Sequence, residues 1–444
     1  MASVSARATL HDRRRALDPD AAGREMHALI GTLFPLCRSL TGAGVRETLA
    51  VLRRQIPLEI REVPTGTRVL DWTIPREWAI RDAFIKNAAG ERVVDFRRST
   101  LHVVGYSAPV HRRLSLAELR PHLHSLPERP DWIPYRTSYF HEDWGFCLTH
   151  RQLESLPDGE YEVRIDASLE DGHLTYGECH LPGESQEEVL VSTHVCHPSL
   201  CNDNLSGVAV ATALARLLSG AALRYSYRFL FVPATLGPIA WLAQHPEAAA
   251  RIRHGLVLAC VGDRGPVTYK RSRRGDAVID RALAHLLRHR DAGGRVEPFS
   301  PWGYDERQYC SPGFNLPVGC LMRTPYGRFP EYHTSADDLD FVDPAALADS
   351  LLLCAQTVAV LEGDRAYRNR SPYGEPELGR RGLFDRTAGR ARGPERELAL
   401  LWVLNYSDGA HTLLDIAELS AMPFDAIREA ADRLVATDLL EPST

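Results

Sequence analysis

Residues 189–215 read VLVSTHVCHPSLCNDNLSGVAVATALA, and their pattern is the strongest indication of the fold class. It begins as a solid apolar strand, which is typical of a parallel sheet covered on both faces, and it ends in a helix that starts at 204–207. His194 closes the strand and Asp203 precedes the helix, so an imidazole and a carboxylate meet at one edge of a sheet. Both are suitable zinc ligands. Asp203 can also be an ordinary helix cap, and His197 competes with His194 as the ligand.

Predicted strands and helices alternate through the following part of the chain. The strands are RYSYRFLFVP (224–233), GLVLACVG (255–262) and PVGCLMR (317–323), and the helices cover 204–219, 237–251, 276–290 and 344–362. This alternation predicts a doubly wound, mixed α/β sheet whose functional sites lie at the carboxyl ends of the strands.

Two further candidate ligands follow the same rule. Asp263 ends the apolar run LVLACVGD, and His333 lies in RFPEYHTSADDLDFVD just before an acidic helix opening. Each is ambiguous alone, because loop aspartates often form turns. Together with His194 and Asp203 they make four candidate ligands at one predicted edge of the sheet, a coincidence that favours a metal site.

The length of 444 residues predicts two or three domains. We assign residues 24–60 and 127–363 to the α/β domain and residues 61–126, with strand-like alternation, to an inserted small β-rich domain. The segment GEYEVRIDASLEDGHLTYGECHLPG (159–183) predicts a strand pair around a turn. Residues 364–394, rich in Arg, Gly and Pro, are predicted to be a linker. Residues 395–444 show three short amphipathic helices of helix-turn-helix type, a winged-helix domain.

Composition limits the partners. A net charge of -6 and a pI near 6.3 argue against nucleic acid and anionic membranes and favour a small-molecule or short-peptide substrate. Nine cysteines without CxxC pairs, and an N-terminus without an apolar core, predict reduced thiols and a cytoplasmic location. No run is apolar enough to predict a membrane span.

The predicted last helix of the chain, FDAIREAADRLVATDLL, carries more acidic than basic residues. DNA binding needs net positive charge, so we expect this domain to pack against protein and the chain to form a homo-oligomer. The residues are Arg428 and Arg433 against Asp425, Glu429, Asp432 and Asp438.

The chain resembles the co-catalytic zinc aminopeptidase family, which includes leucyl aminopeptidases and glutaminyl cyclases. It resembles more closely the bacterial aminopeptidase-like proteins with a β insertion and a C-terminal winged helix, often linked to polysaccharide or natural-product biosynthesis. The resemblance covers roughly residues 24–444 and rests on STHVCHPSLCNDNLSG, PATLGPIAWL, VGDRG, YDERQYCSPGFNLPVGCLMRTPYG and EYHTSADDLDF. It implies that His194 and Asp263 hold one metal, that Asp203 bridges, and that His333 holds the other.

Three departures from the family pattern change these expectations. Cys196 stands where the family has an acid that polarises the first histidine. Ala234 and Thr235 stand where the family has a general-base glutamate and a metal-binding glutamate. We therefore expect one zinc rather than two, and loss of a general base typically costs about 10²–10⁴-fold in rate.

Other side chains are candidates for the remaining chemistry. Substitutes for the base are Glu306, Glu331 and Glu142. The resemblance implies that the pocket-wall segments contact substrate through Asp305, Arg307, Tyr304 and Tyr326.

Two functions compete. The first is a zinc-dependent, aminopeptidase-like hydrolase acting on an amide or peptide bond of a small amine-bearing substrate, in a biosynthetic pathway. The alternative is a degenerate metal-binding scaffold or binding subunit, favoured by the loss of glutamate at Ala234. A DNA-binding regulator is disfavoured by charge.

Overall fold

The structure, a computed structural model, describes residues 9–139, 141–384 and 394–443. They form two compact units: one contains residues up to 277 together with 295–352, and the other contains 278–294 and residues from 353 onward. In the first unit the chain opens with three helices, α1 (Leu10–Ala16), α2 (Pro19–Leu33) and α3 (Ala43–Arg53).

An eight-stranded mixed sheet organises the first unit. Its strands are β1 (Glu59–Pro64), β10 (His173–Leu181), β11 (Glu188–His194), β12 (Ser226–Val232), β13 (Ile252–Leu258), β14 (Thr268–Lys270), β15 (Arg295–Glu297) and β16 (Val318–Met322). The order is β1-β10-β12-β11-β13-β16-β14-β15. The four central strands, β12, β11, β13 and β16, are parallel, whereas β1, β10 and β14 pair with antiparallel neighbours. The predicted mixed α/β sheet is confirmed.

The central strands carry the apolar runs read from the sequence. Every residue of β11 and β12 is buried, as expected for strands covered on both faces. The helices that connect or follow the strands are α6 (Gly207–Leu218), α7 (Leu236–Gln244), α8 (Pro246–Arg251), α10 (Glu306–Tyr309) and α11 (Pro344–Gly363). The predicted helix 237–251 is two helices, because Pro246 starts a second one.

One buried ion-pair network crosses the sheet. Arg228 on β12 contacts Glu178 on β10, and its Nε lies 2.5 Å from the Glu188 carboxylate on β11. All three residues are buried. The indole of Trp241 on α7 donates to Glu178 at 3.2 Å. Removing one partner from such a network leaves an uncompensated charge in the interior.

The inserted region reaches beyond the predicted residues 61–126. Its strands and helices are β2 (Arg68–Val69), β3 (Trp72–Thr73), β4 (Glu77–Lys86), β5 (Arg92–Asp95), β6 (Val110–Ser115), α4 (Leu116–Leu119), β7 (Leu123–His124), β8 (Phe146–Cys147), α5 (His150–Ser155) and β9 (Glu160–Glu170). Its main sheet has the order β5-β4-β9-β6. Strands β9 and β10, predicted as a pair, join different sheets: β9 pairs with β4 and β6, and β10 pairs with β1 and β12.

The second unit contains the predicted three helices and a small sheet. Its elements are α9 (Val278–Arg288), β17 (Ala366–Asn369), α12 (Pro394–Tyr406), β18 (Asp408–Thr412), α13 (Leu413–Ser420), α14 (Phe424–Ala436) and β19 (Leu440–Pro442). The sheet has the order β18-β17-β19. The predicted linker 364–394 therefore begins with a strand of this sheet, and its residues 385–393 lie outside the described residues.

Two sequence expectations concern the chain as a whole. The nine cysteines have unbridged thiols in the described part of the chain, and eight of them are buried, which agrees with the prediction of reduced thiols. One helix, Pro344–Gly363, is long and apolar enough to cross a membrane, but 67% of its apolar window is buried inside the fold. A helix buried in the core of a globular protein can have the same length and apolar composition as a membrane-spanning helix.

Candidate metal centre

The candidate metal centre is built where β11 ends. His194 is the last residue of that strand, and Asp203 lies in a distorted turn, Cys201–Ser206, that leads into α6. The turn is anchored by Asp337, whose two carboxylate oxygens accept the backbone N–H groups of Asn202 at 2.5 Å and Asp203 at 2.9 Å. Asp337 is fully buried, and burial raises the pKa of its carboxyl to about 8.

Three imidazoles converge on the Asp203 carboxylate. His194 Nε2 lies 2.8 Å from Oδ1, His333 Nε2 lies 3.0 Å from Oδ2, and His197 Nε2 lies 3.9 Å from Oδ2. The ligand atoms of His194, His197 and Asp203 all lie within 4.8 Å of one another. Asp203 and His194 are buried, whereas the His333 side chain is 34% exposed, so the cluster has one open side.

This donor set fits zinc. Zinc takes imidazole nitrogens and carboxylate oxygens at about 2.0–2.2 Å in a tetrahedral arrangement, which implies ligand separations of about 3.3 Å. The distances of 2.8, 3.0 and 3.9 Å from Asp203 to its three histidines bracket that value. The structure thus brings His194, Asp203 and His333 together, and it places His197, the predicted alternative to His194, in the same cluster.

Electrostatics keep the carboxylate ionised. Burial alone would raise the pKa of Asp203, but His197, His194 and His333 outweigh it and hold that pKa well below its usual value. Burial lowers the pKa of His197 to about 3, with His194 and His333 adding to the effect. A neutral imidazole beside an anionic carboxylate is the ligand state that a metal ion requires.

Asp263 is not part of this cluster. Its side chain is buried and accepts four hydrogen bonds: from Asn202 Nδ2 at 3.1 Å, Gly265 N at 2.7 Å, and Thr324 N and Oγ1 at 3.1 and 2.6 Å. The oxygens that the resemblance assigned to a metal are therefore occupied by the protein. These four hydrogen bonds give Asp263 a structural role as a loop anchor, and its assignment as a metal ligand stays a prediction.

Two residues absent from the predicted site shape it. Arg38 is fully buried and its Nε donates to the His197 carbonyl at 3.0 Å, which fixes the loop after β11. Tyr135, from the inserted region, donates its N–H to the His333 carbonyl at 2.8 Å. Its ring lies 5.1 Å from the ring of His197 and 5.0 Å from that of His333. Nothing in the local sequence around Tyr135 links it to His333, 198 residues later.

The aromatic and basic residues predicted to line the pocket wall differ in whether they contact the candidate ligands. Tyr304 stacks on His194 with ring centroids 5.3 Å apart, and Tyr326 packs edge-on against Tyr304 at 5.3 Å. Tyr332 stacks on its neighbour His333 at 3.9 Å. Arg307 is half-buried. Tyr304 and Tyr332 therefore contact candidate ligands and Tyr326 packs behind Tyr304, whereas for Arg307 no contact with the ligands is seen within the described part of the chain.

The acids proposed as the base lie in different environments. Glu306 is fully buried and forms an ion pair with Lys270, so its negative charge is already matched. The side chain of Glu142 is 73% exposed and lies 3.6 Å from Arg76. Glu331 is half-buried two residues before His333. The ion pair gives Glu306 a structural partner inside the fold, and its role as the base stays a prediction.

Ala234 and Thr235 lie between β12 and α7 and are partly exposed. The Ala234 N–H donates to Cys196 Sγ at 3.3 Å, so the two departures from the family pattern touch each other. This end of the sheet therefore holds a thiol and a methyl group where a carboxylate was expected.

The fold and site together define an aminopeptidase-like α/β protein. The solved zinc aminopeptidase of Bacillus subtilis has the same fold, with a TM-score of 0.56 at 12% identity over 76% of this chain and 95% of that one. A peptidase M28 precursor from Shewanella amazonensis gives 0.52 at 12% identity over 80% and 97%.

The chain belongs to the family described as "Domain of unknown function (DUF4910)", which matches residues 27–364, and residues 365–442 match a winged helix-turn-helix family. A Clostridium acetobutylicum protein called "Putative polysaccharide biosynthesis protein with aminopeptidase-like domain" is 51% identical over 419 residues, covering 94% of this chain and 96% of that protein. A crystal structure of a "putative peptidase" from the same species matches with a TM-score of 0.92 at 50% identity, over 96% and 97% of the chains.

Proposed function

We propose that this protein is a zinc-dependent hydrolase that cleaves an amide or peptide bond in a small substrate with a free amine. The observation that carries the proposal is the convergence of three imidazole nitrogens on the Asp203 carboxylate at the carboxyl edge of the sheet. His194, His197, Asp203 and His333 would hold the ion. A zinc ion there supplies a Lewis acid for a carbonyl oxygen and lowers the pKa of water.

The chain's own groups orient the ligands. The rings of Tyr304 and Tyr332 stack on His194 and His333, and Tyr135 packs edge-on against two of the imidazoles. These contacts fix the planes of the rings and keep bulk water away from the buried side of Asp203. The exposed edge of His333 leaves one side for a substrate.

We propose one zinc per chain. A second ion would need carboxylates, and the four hydrogen bonds to Asp263 already occupy its two oxygens. Ala234 and Thr235 supply none. Under this proposal Asp263→Asn keeps its zinc, whereas Asp203→Asn loses it.

The name of the Clostridium relative supports a place in polysaccharide biosynthesis. We further propose a small-molecule or short-peptide substrate and a cytoplasmic location. The winged helix supports a protein-packing role in a homo-oligomer rather than nucleic-acid binding. Its Arg428 lies 2.9 Å from Asp432 and 3.8 Å from Asp425, and Arg433 donates to a backbone carbonyl at 3.1 Å. These basic groups are already engaged within the unit. We likewise propose no membrane partner.

A second candidate is a binding subunit that holds metal and ligand without turnover. The absence of a carboxylate at Ala234 favours it, because the attacking water then lacks the usual proton acceptor. The two candidates share the metal centre and differ only in turnover.

The test is elemental analysis of the purified full chain followed by an amide-substrate screen. We expect about one zinc per chain in the wild type, and loss of zinc in Asp203→Asn and His333→Ala. Asp171→Asn, at an exposed turn between β9 and β10, is the matched control and keeps its zinc. Aminoacyl amides should be cleaved, N-acetylated counterparts should not, and chelation should abolish cleavage. Zinc without turnover supports the second candidate, and absence of zinc contradicts both.

A further inference from the structure

Asp305 is a buried carboxylate without a partner among the described residues. Its exposure is 0%, and neither of its oxygens has a hydrogen-bond donor within reach. It stands at the first position before α10 but makes no capping hydrogen bond, so the usual structural role of such an aspartate is absent. Its neighbour Glu306 is equally buried but is matched by Lys270. An unsatisfied buried carboxylate is costly and calls for an explanation.

Asp305 lies next to the metal centre. The residue before it, Tyr304, stacks on His194. Helix α10 packs against α7, whose N-terminus follows Ala234. Burial raises the pKa of the Cys196 thiol to about 12, and the charge of Asp305 contributes; that thiol contacts Ala234 N at 3.3 Å. Asp305 is thus near the place where the chain lacks a carboxylate, and Ala234 there is partly exposed to water.

Resting on the proposed hydrolase function, we propose that Asp305 is the proton acceptor of the reaction. Water attacks the amide carbon, a C–O bond forms, and the water proton passes to an oxygen of Asp305. The C–N bond then breaks, and Asp305 returns the proton to the leaving amine nitrogen. The sum is hydrolysis, with no other reactant. This assigns to Asp305 a catalytic role that sequence reasoning gave to Glu306, Glu331 or Glu142.

The electrostatics of the position suit proton exchange. Burial raises the pKa of Asp305 to about 7, with Glu306 adding to the shift and His194 and Arg307 opposing it. A base acts best when its pKa lies near the working pH. Lys270 forms its ion pair with Glu306 and not with Asp305. The two adjacent acids therefore have different roles: Glu306 holds the loop, and Asp305 exchanges the proton.

The experiment compares the full-length wild type with Asp305→Asn and with the control Asp171→Asn. For each we measure zinc content, kcat and KM on a cleaved aminoacyl amide, and the pH profile of kcat/KM. The expected result for Asp305→Asn is full zinc content, KM within about threefold, kcat lower by about 10²–10⁴-fold, and loss of the acidic limb of the profile. A second measurement, independent of turnover, is the thermal midpoint of the protein after a chelator has removed the metal. At pH 8 this midpoint should be higher in Asp305→Asn than in the wild type.

The outcomes separate the two proposals. Turnover by Asp305→Asn within threefold of the wild type overturns the proton-acceptor role and leaves the hydrolase intact. A raised KM with unchanged kcat also overturns it, because Asp305 then binds the substrate amine instead. A wild type that holds zinc but cleaves no amide overturns both the hydrolase and its base. A thermal midpoint that does not rise contradicts the unpartnered state of the carboxylate.

Discussion

Replacing Asp305 by asparagine should stabilise the metal-free protein, and the gain should grow with pH. Burial raises the pKa of this carboxyl from 3.8 to about 7, so the folded state binds a proton that the unfolded state releases between these values. Stability of the wild type is therefore lost as pH rises through this window, by about 1.4 kcal/mol per pH unit. The full difference of about 3 units corresponds to roughly 4 kcal/mol. Asparagine keeps the shape and carries no charge.

The assay is thermal unfolding in the presence of a chelator at pH 5 and pH 8. Between these values the advantage of Asp305→Asn should grow by about 2–3 kcal/mol, since part of the window lies below pH 5. For a unit of this size that corresponds to a shift of about 3–4 °C in the midpoint. Asp171→Asn should follow the wild type at both values. An advantage that is absent, or equal at pH 5 and pH 8, would show that the carboxyl of Asp305 does not have a raised pKa in the folded protein.

Three further substitutions test other parts of the structure. Glu306→Gln leaves Lys270 as a buried cation without its carboxylate partner, so the thermal midpoint should fall, whereas it should rise in Asp305→Asn. An unchanged midpoint in Glu306→Gln would show that the ion pair does not stabilise the protein. Asp203→Asn removes the anionic ligand and should weaken zinc binding by roughly 100-fold or more, as measured by competition with a chromogenic chelator; affinity within a few fold of the wild type would contradict the site. Arg228→Met leaves the buried Glu178 and Glu188 with only the more exposed Arg61 and Arg251 as counter-charges and should destabilise the protein by about 3 kcal/mol in denaturant unfolding, while a loss under about 1 kcal/mol would contradict the network.

The strands of the main sheet could be predicted because each is marked by a continuous apolar run in its own sequence. The runs that end at His194 and at Val232 are apolar throughout, and all their residues are buried. The partner of a half-exposed strand could not be predicted in the same way. In β9, apolar and polar positions alternate in a way that shows which face packs, but the pattern does not say which sheet the strand joins. The inserted region therefore reaches past the predicted boundary at 126.

The candidate site shows the same division. His194, Asp203 and His333 could be predicted to lie close together because each directly follows a strand or lies at a loop tip near one edge of the sheet. Asp263 satisfies the same rule, yet its oxygens accept hydrogen bonds from the neighbouring loops. Whether a carboxylate is free or occupied depends on donors distant in sequence, such as Thr324, 61 residues away. In the same way, the sequence does not show that Lys270 forms an ion pair with Glu306, 36 residues later.

The hydrogen bond from Tyr135 N to the His333 carbonyl joins the inserted region to the loop that carries a candidate ligand. A shortened chain without the insertion would lose one wall of the metal centre as well as a peripheral sheet. Exchanging insertions between homologues would likewise change the surroundings of His333. We therefore expect differences in substrate preference within this family to follow the sequence of the insertion at least as closely as that of the ligand loops.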